Sequence, residues 1–290
     1  MNGERLWCLF CIAVLLTTAW LVTAFGLGHK LKNFPGKDLY VNDPVYQTIK
    51  YPSGNSPSAN LATFVWPSTL IACLVPILYI FKDCSRERLF DQRFYIPWAS
   101  EIACFGIWTL FYDREVHYMC LIISILAPLL MTLASIAVGQ KRKTTAKFWW
   151  YDLLLNSVVF RAVWLFSVLS TAVTNFTCFK NSFGLDKAQL IGTWDLETCT
   201  TIGYCAPLAV FIVWFAMDFI FYPRELQMVN TVYPFVVFSM FGLFFSNYDP
   251  SKELSRNDAI PLTIGILSAV LHFIRNGLKG GVTVEAKKES

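Results

Sequence analysis

The chain has 290 residues, of which 55% are hydrophobic and only 15% are charged. A soluble domain carries about a quarter charged residues, so this charge fraction is too low to solvate the outside of a water-soluble globule. The net charge is only +4, and no run of Lys and Arg interleaved with aromatic residues is present, which argues against nucleic-acid binding. The composition therefore predicts an integral membrane protein.

Eight apolar segments are long enough, or nearly long enough, to cross the hydrocarbon core as helices, which takes about 20 residues. They are residues 6–27, 61–81, 94–112, 118–138, 148–173, 200–222, 228–245 and 259–274. The first is longer than the apolar part of a secretory signal, which has about 7–15 residues, so we expect a retained span. The predicted fold class is all-α, a polytopic membrane helix bundle of about eight transmembrane helices in a single domain.

Two long apolar stretches are predicted to be hairpins rather than single helices. Residues 94–138 as one helix would be about 67 Å long, roughly twice the thickness of the bilayer core. The charged cluster Asp113-Arg114-Glu115 lies at the centre of this stretch, and Tyr222-Pro223-Arg224-Glu225 divides residues 200–245 in the same way. Charged residues at these positions are expected in the aqueous turns between paired spans.

The Lys and Arg residues between the spans predict that both termini are cytosolic. In that orientation the cytosolic segments hold fourteen Lys and Arg residues, and the opposite side holds nine. The loops at 28–60 and 174–199 are then extracytoplasmic, and the second contains the sequon Asn175-Phe176-Thr177, a candidate glycosylation site. We expect a multi-pass protein of the secretory pathway, in the endoplasmic reticulum or the plasma membrane.

Two of the nine cysteines, Cys178 and Cys199, bracket the second extracytoplasmic loop. A disulfide between them would lie on the oxidising side of the membrane. It would close a loop of about 20 residues, which stabilises a fold by about 3 kcal/mol in the chain-entropy model. Cys205 is a competing partner. The pairing predicted from position in the chain is Cys178 with Cys199.

The sequence offers little for catalysis. The three histidines, His29, His117 and His272, are too few and too scattered for a haem or metal centre. No nucleophile elbow, P-loop or dinucleotide fingerprint is present. We therefore expect no enzyme activity, no metal and no cofactor. A lipid-modifying enzyme that uses Asp152, Asp218 and His272 at the cytosolic face is the catalytic alternative.

Arg161 lies deepest among the ionisable residues of the predicted spans, about 20 Å from the start of its helix. A charge at the bilayer centre costs about 2.5–3.5 kcal/mol or more, so Arg161 should face protein or a wet cavity. Asp152 is nine residues away on the opposite helix face, so the partner of Arg161 should come from another helix. Asp152, Asp218 and His272 lie within about one turn of the cytosolic edge, where we expect headgroups to solvate them.

Glu101 is the best partner candidate for Arg161. It belongs to a stripe on one helix face, which consists of Trp98, Glu101, Phe105 and Trp108. Two interpretations remain open: Glu101 is a structural counter-ion of Arg161, or the two charges line a pocket for an amphipathic ligand. In the second interpretation the ligand-binding residues are Trp98, Glu101, Arg161 and Trp164.

The second predicted span, with Phe64-Val65-Trp66 followed by Leu78-Tyr79, resembles the aromatic-rich second helix of the translocator-protein/tryptophan-rich sensory protein family. The hairpin that follows Trp98, and the fifth span with Ala162-Val163-Trp164 before Asn175, are similar in layout. The resemblance covers about residues 60–175. The third-helix asparagine of that family falls near Glu101 here. The resemblance implies a binder or sensor of porphyrins, sterols or other amphipathic small molecules.

The leading functional prediction is a protein that binds or transports a small amphipathic ligand in a cavity of the helix bundle. The alternative is a structural accessory subunit of a larger membrane complex, with lipid-facing aromatic side chains as its partner surface. The expected partners are membrane lipid, an amphipathic small molecule and, in the alternative, other membrane subunits.

Overall fold

A computed structural model describes residues 3–27, 35, 37–41, 78, 92–144, 149–178, 195–223, 226 and 228–288. The described residues contain helices and no strand, which confirms the all-α prediction. The α-helices are α1 (Gly3–Leu27), α2 (Gln92–Asp113), α3 (His117–Thr144), α4 (Trp149–Cys178), α5 (Leu196–Ala216), α6 (Val232–Asn247) and α7 (Arg256–Lys288). A short 3₁₀ helix covers Lys37–Leu39, and a π-helical turn, Met217–Phe221, continues α5.

Five of the described helices are long and apolar enough to cross a membrane, namely α2, α3, α4, α5 with its π-helical turn, and α7. The helices α1 and α6 carry shorter apolar stretches, Leu9–Phe25 and Val232–Phe245. These lengths and compositions are those of a membrane protein. Of the predicted span 61–81 only Leu78 is among the described residues, so the number of eight spans stays a prediction.

Both long apolar stretches are divided into two helices, as predicted. The helix α2 ends at Asp113 and α3 begins at His117, which confirms the turn at the charged cluster. Glu115 has a φ of 59°, in the left-handed region that non-glycine residues rarely adopt. That conformation reverses the chain within three residues. The second joint lies between the π-helical turn, which ends at Phe221, and the start of α6 at Val232.

The helices pack largely in chain order. The helix α3 lies against both α2 and α4, α4 lies against α5, and α1 covers α2. The helices α6 and α7 form a second hairpin that joins the rest through contacts of α6 with α4 and of α7 with α5. The buried apolar side chains of α1 to α6 form one main core. Large apolar side chains on the outer faces, such as Leu133, Ile212 and Phe273, are exposed, as expected where helices face lipid.

The contact between α1 and α2 depends on a small residue. A Cβ at Gly106 would lie 3.2 Å from side-chain atoms of both Thr18 and Leu21, closer than most real contacts. The Thr18 hydroxyl donates a hydrogen bond to the Ile102 carbonyl at 3.0 Å. Small residues and interhelical hydrogen bonds of this kind hold helices together in lipid, where the hydrophobic effect contributes little.

The helix α4 extends about one turn further than predicted, which corrects the boundary of the loop 174–199. Asn175 lies in the last turn of α4 and is buried, with 3% of its surface exposed. The hydroxyls of the neighbouring threonines are satisfied by helix carbonyls, because Thr177 donates to Val173 at 2.9 Å and Thr174 to Cys199 of α5 at 3.5 Å. Such bonds let polar residues continue a helix. A buried helical sequon gives no support to the predicted glycosylation.

The predicted Cys178–Cys199 disulfide is not formed in this structure. Both residues are buried free thiols. They nevertheless lie together in one small cluster with Leu196, where the end of α4 meets the start of α5. The two cysteines are therefore close together, as predicted, but the disulfide bond between them is absent.

Candidate functional site

The side chain of Arg161, in the middle of α4, forms an ion pair with Glu101 of α2. Its Nη2 lies 2.9 Å from Oε1 of Glu101, and its Nε lies 3.3 Å and 3.4 Å from the two carboxylate oxygens. Glu101 is fully buried and Arg161 is 3% exposed. The prediction that the partner of Arg161 comes from another helix is confirmed.

The helix topology explains how the two charges meet. Because α3 packs against both α2 and α4 and joins them through short connections, α2 and α4 run in the same direction. Glu101 is the tenth residue of α2 and Arg161 the thirteenth of α4. If the two helices start level, this difference of three residues is an offset of about 4.5 Å at 1.5 Å per residue. The long side chain of Arg161 covers that distance.

Two aromatic rings enclose the guanidinium. Its central carbon lies 4.8 Å from the ring centre of Phe105 and 5.1 Å from that of Trp164. The two rings contact each other edge to face, with centres 5.6 Å apart. Phe105 follows Glu101 by four residues and Trp164 follows Arg161 by three, so helical periodicity places each ring beside a charge. The attraction of the cation to the ring faces adds to its attraction to the carboxylate.

Of the remaining stripe residues of α2, Trp98 lies about one turn before Glu101 and Trp108 about two turns after it. Trp98 is 1% exposed and stacks on Phe94, with ring centres 6.4 Å apart. Trp108 stacks on Tyr112 at 4.7 Å. The structure thus brings Glu101, Arg161 and Trp164 together and places Trp98 in the adjoining core. The ligand-binding role of these four residues stays a prediction.

A second buried ion pair joins the end of α5 to α7. Nε of Arg275 lies 2.5 Å from Oδ2 of Asp218, and Nη2 donates to Oδ1 at 2.9 Å. Arg275 also donates to the carbonyls of Leu226 and Val229. The hydroxyl of Tyr233 donates a hydrogen bond to Asp218 at 3.2 Å. The central carbon of the Arg275 guanidinium lies 5.9 Å from the centre of the Tyr233 ring. Both charged residues are 5% exposed.

The expectation that headgroups solvate Asp218 is therefore wrong. Asp218 lies in the π-helical turn, which changes the direction of its side chain relative to a regular helix. Its partner Arg275 follows the predicted last span, in a segment assigned to the cytosolic terminus, whereas α7 continues through it to Lys288. The sequence signal for this pair is the position of both residues at the same predicted face of the membrane.

The other polar residues singled out from the sequence lie outside the two ion pairs, although the ring centre of His272 lies 6.4 Å from that of Tyr233. His272 is half-buried in α7, with its Nε2 3.1 Å from Nδ2 of Asn276. Asp152 is half-buried in the first turn of α4. Within the described parts of the chain, no group of three or more His, Cys, Asp or Glu side chains is placed to hold a metal ion.

Comparisons with protein-family models, with curated proteins and with solved structures gave no match to this chain. The resemblance to the translocator-protein/tryptophan-rich sensory protein family therefore stays a prediction from its aromatic residues. What the protein does has to be inferred from its own chemistry, above all from the buried charges.

Proposed function

We propose that this protein is a non-enzymatic, multi-pass membrane protein that binds or transports a small amphipathic ligand within its helix bundle. The proposal includes about eight spans, cytosolic termini and a place in the secretory pathway. One observation carries it: a buried Arg161–Glu101 pair lies in the middle of membrane-length helices, between the rings of Phe105 and Trp164.

The stability of the fold alone does not explain why such a pair is buried. Removing two charges from water costs several kcal/mol for each ion, and apolar residues of similar volume often serve the fold as well or better. Ionisable residues inside membrane helices are rare and commonly mark ligand or ion pathways. A functional role accounts for Arg161 and Glu101 where packing alone does not.

The surroundings of the pair suit an amphipathic molecule. The guanidinium binds carboxylate or other oxygen acceptors, so the polar end of a ligand competes with Glu101 for Arg161. Phe105, Trp164 and Trp98 offer flat apolar surfaces for the remainder of the ligand. In this proposal Glu101 holds the guanidinium while the site is empty and yields part of its hydrogen bonding when the ligand arrives.

Mass spectrometry of the protein purified into lipid nanodiscs tests this proposal. We expect wild-type protein to carry a small molecule that is not a bulk bilayer lipid. The double variant Glu101→Leu/Arg161→Leu should fold and lose that molecule, because it has no charged partner for the ligand. The matched control Asp218→Leu/Arg275→Leu, which removes the other buried pair, should retain it. Retention by the folded Glu101→Leu/Arg161→Leu variant would show that the pair is only structural.

A second candidate function, as an accessory subunit, is favoured by a groove on the outer face of the α6–α7 hairpin. Its volume is about 690 Å³, and phenylalanine side chains dominate its walls. Phe245 is 71% exposed and Phe273 is 75% exposed. A partner helix could lie in this groove. A stoichiometric partner that co-purifies in mild detergent, and is lost when Phe273 is changed to Ser, would support this function.

The thiols of Cys178 and Cys199 offer a separate test of the secretory location. Because both lie in one buried cluster, oxidation to a disulfide requires only a local adjustment where α4 meets α5. In the oxidising compartments of the secretory pathway we expect this bridge to form. Protein isolated with free thiols blocked beforehand should then show both cysteines protected until reduction.

A further inference from the structure

A small cavity lies where α4, α5, α6 and α7 meet, and its volume is about 50 Å³. Its walls are almost entirely apolar and include Val163 of α4, Phe211 of α5, Met240 of α6 and Ile264 of α7. One buried water needs about 10–15 Å³ of such space, so the cavity has room for several small atoms.

Two polar side chains, Trp214 and Ser239, also line this cavity. Trp214 is 5% exposed and Ser239 is 7% exposed. Within the described residues neither the indole Nε1 of Trp214 nor the hydroxyl of Ser239 has a hydrogen-bond partner. Leaving a buried donor without a partner costs about 1–3 kcal/mol, so both groups indicate something that binds them.

The hydroxyl of Ser239 differs from those of two other buried helical serines among the described residues. Ser135 and Ser268 donate to the carbonyl four residues earlier, at 2.8 Å and 2.7 Å. That bond is the ordinary way for a serine to satisfy its hydroxyl inside an apolar helix. Ser239 does not form it, and its hydroxyl is left for another acceptor or donor.

We propose that this cavity binds a neutral lipid-like molecule through an oxygen, as in an alcohol, a ketone or an ester. The indole N–H only donates and the serine hydroxyl donates or accepts, so a ligand oxygen is a suitable acceptor for either group. The lining residues carry no formal charge, which disfavours an ionised ligand. The volume fits the oxygen and the first few carbons, so the molecule is short or enters by its oxygen-bearing end. This site shares no lining residue with the Arg161–Glu101 pair and does not depend on the function proposed above.

Photolabelling of the full-length protein in nanodiscs tests the site. The probe is a medium-chain alkanol with a diazirine on its third carbon, and mass spectrometry maps the labelled residues. We expect the label on cavity residues such as Met240 and Trp214. Ser239→Val should weaken the apparent affinity about 5-fold, the effect of losing one ordinary hydrogen bond. Ser124→Val is the matched control, because Ser124 of α3 is also buried without a partner in the described structure and should be neutral.

Competition experiments distinguish binding of the proposed ligand from occupation of the cavity by water. An unlabelled alkanol or methyl ketone should reduce labelling at Met240, and an alkane of equal length should compete at least several-fold less well. Equal labelling of wild type and Ser239→Val, or equal competition by the alkane, would overturn the proposal and leave water as the partner of Trp214 and Ser239. If Ser239→Val does not fold, Ser239→Ala removes the same hydroxyl without adding volume and should give the same weakening.

Discussion

Replacing Arg161 by leucine should destabilise the fold far more than replacing both members of the pair. The single change leaves the fully buried Glu101 without its cation, and breaking a buried ion pair in this way costs about 3–5 kcal/mol. In Glu101→Leu/Arg161→Leu no charge is left unpaired, so most of this loss should be recovered. The double variant still lacks the contacts of the guanidinium with Phe105 and Trp164, each worth roughly 0.5–2 kcal/mol. We therefore expect it to be about 1–4 kcal/mol less stable than wild type.

Reversible unfolding in mixed micelles, followed as a function of the SDS mole fraction, measures these free energies of unfolding. We expect a thermodynamic coupling of at least about 2 kcal/mol between residues 101 and 161, calculated from the two single variants and the double variant. Additive effects would contradict it, because they would mean that solvent or lipid, rather than Arg161, compensates the charge of Glu101.

Three further predictions concern the other polar groups. Arg275→Met should lower the free energy of unfolding by about 3–5 kcal/mol in the same assay, since it leaves the carboxylate of Asp218 buried without its cation. A change under 1 kcal/mol would contradict the pairing. Treatment with a peptide N-glycosidase should leave the mass unchanged, because Asn175 is buried in α4; a loss of glycan mass that Asn175→Gln abolishes would disprove this. Hydrogen bonds from Thr198 hold the pKa of Asp195, the N-cap of α5, below its ordinary value. The carboxylate therefore contributes stability above about pH 4, which is lost as the pH falls through its folded-state pKa. Asp195→Ala should lower the unfolding temperature at pH 7 by more than at pH 3, and an equal effect at both values would contradict the assignment.

The pairing of Arg161 could be predicted because its energetics leave few alternatives. A guanidinium deep in an apolar helix needs an acceptor, and Glu101 is a carboxylate on a neighbouring span. The turn at Asp113-Arg114-Glu115 followed from length and charge, since a single helix across it would be about twice the thickness of the bilayer core and would place three charged residues at its centre. In both cases the large free-energy cost of a charge in the hydrocarbon core decided the outcome.

The pair of Asp218 and Arg275 was not predictable in the same way. Both residues lie near predicted helix ends, where solvation by headgroups and pairing with protein differ little in free energy. Whether Asp218 and Arg275 pair depends on the π-helical turn that continues α5 and on the extension of α7, both of which result from tertiary packing. The cavity beside Ser239 depends on four helices at once, so no local sequence pattern indicates it.

The central claim is that the buried Arg161–Glu101 pair serves a ligand, and crosslinking beside the pair tests it most directly. A photoreactive benzoyl-phenylalanine replaces Phe105, whose ring contacts the guanidinium, and in a control it replaces Phe273, which is 75% exposed. We expect the probe at 105 to capture a small molecule distinct from the bilayer lipids captured at 273. Adducts at 105 that consist only of the protein's own side chains, or of the same lipids as at 273, would contradict it.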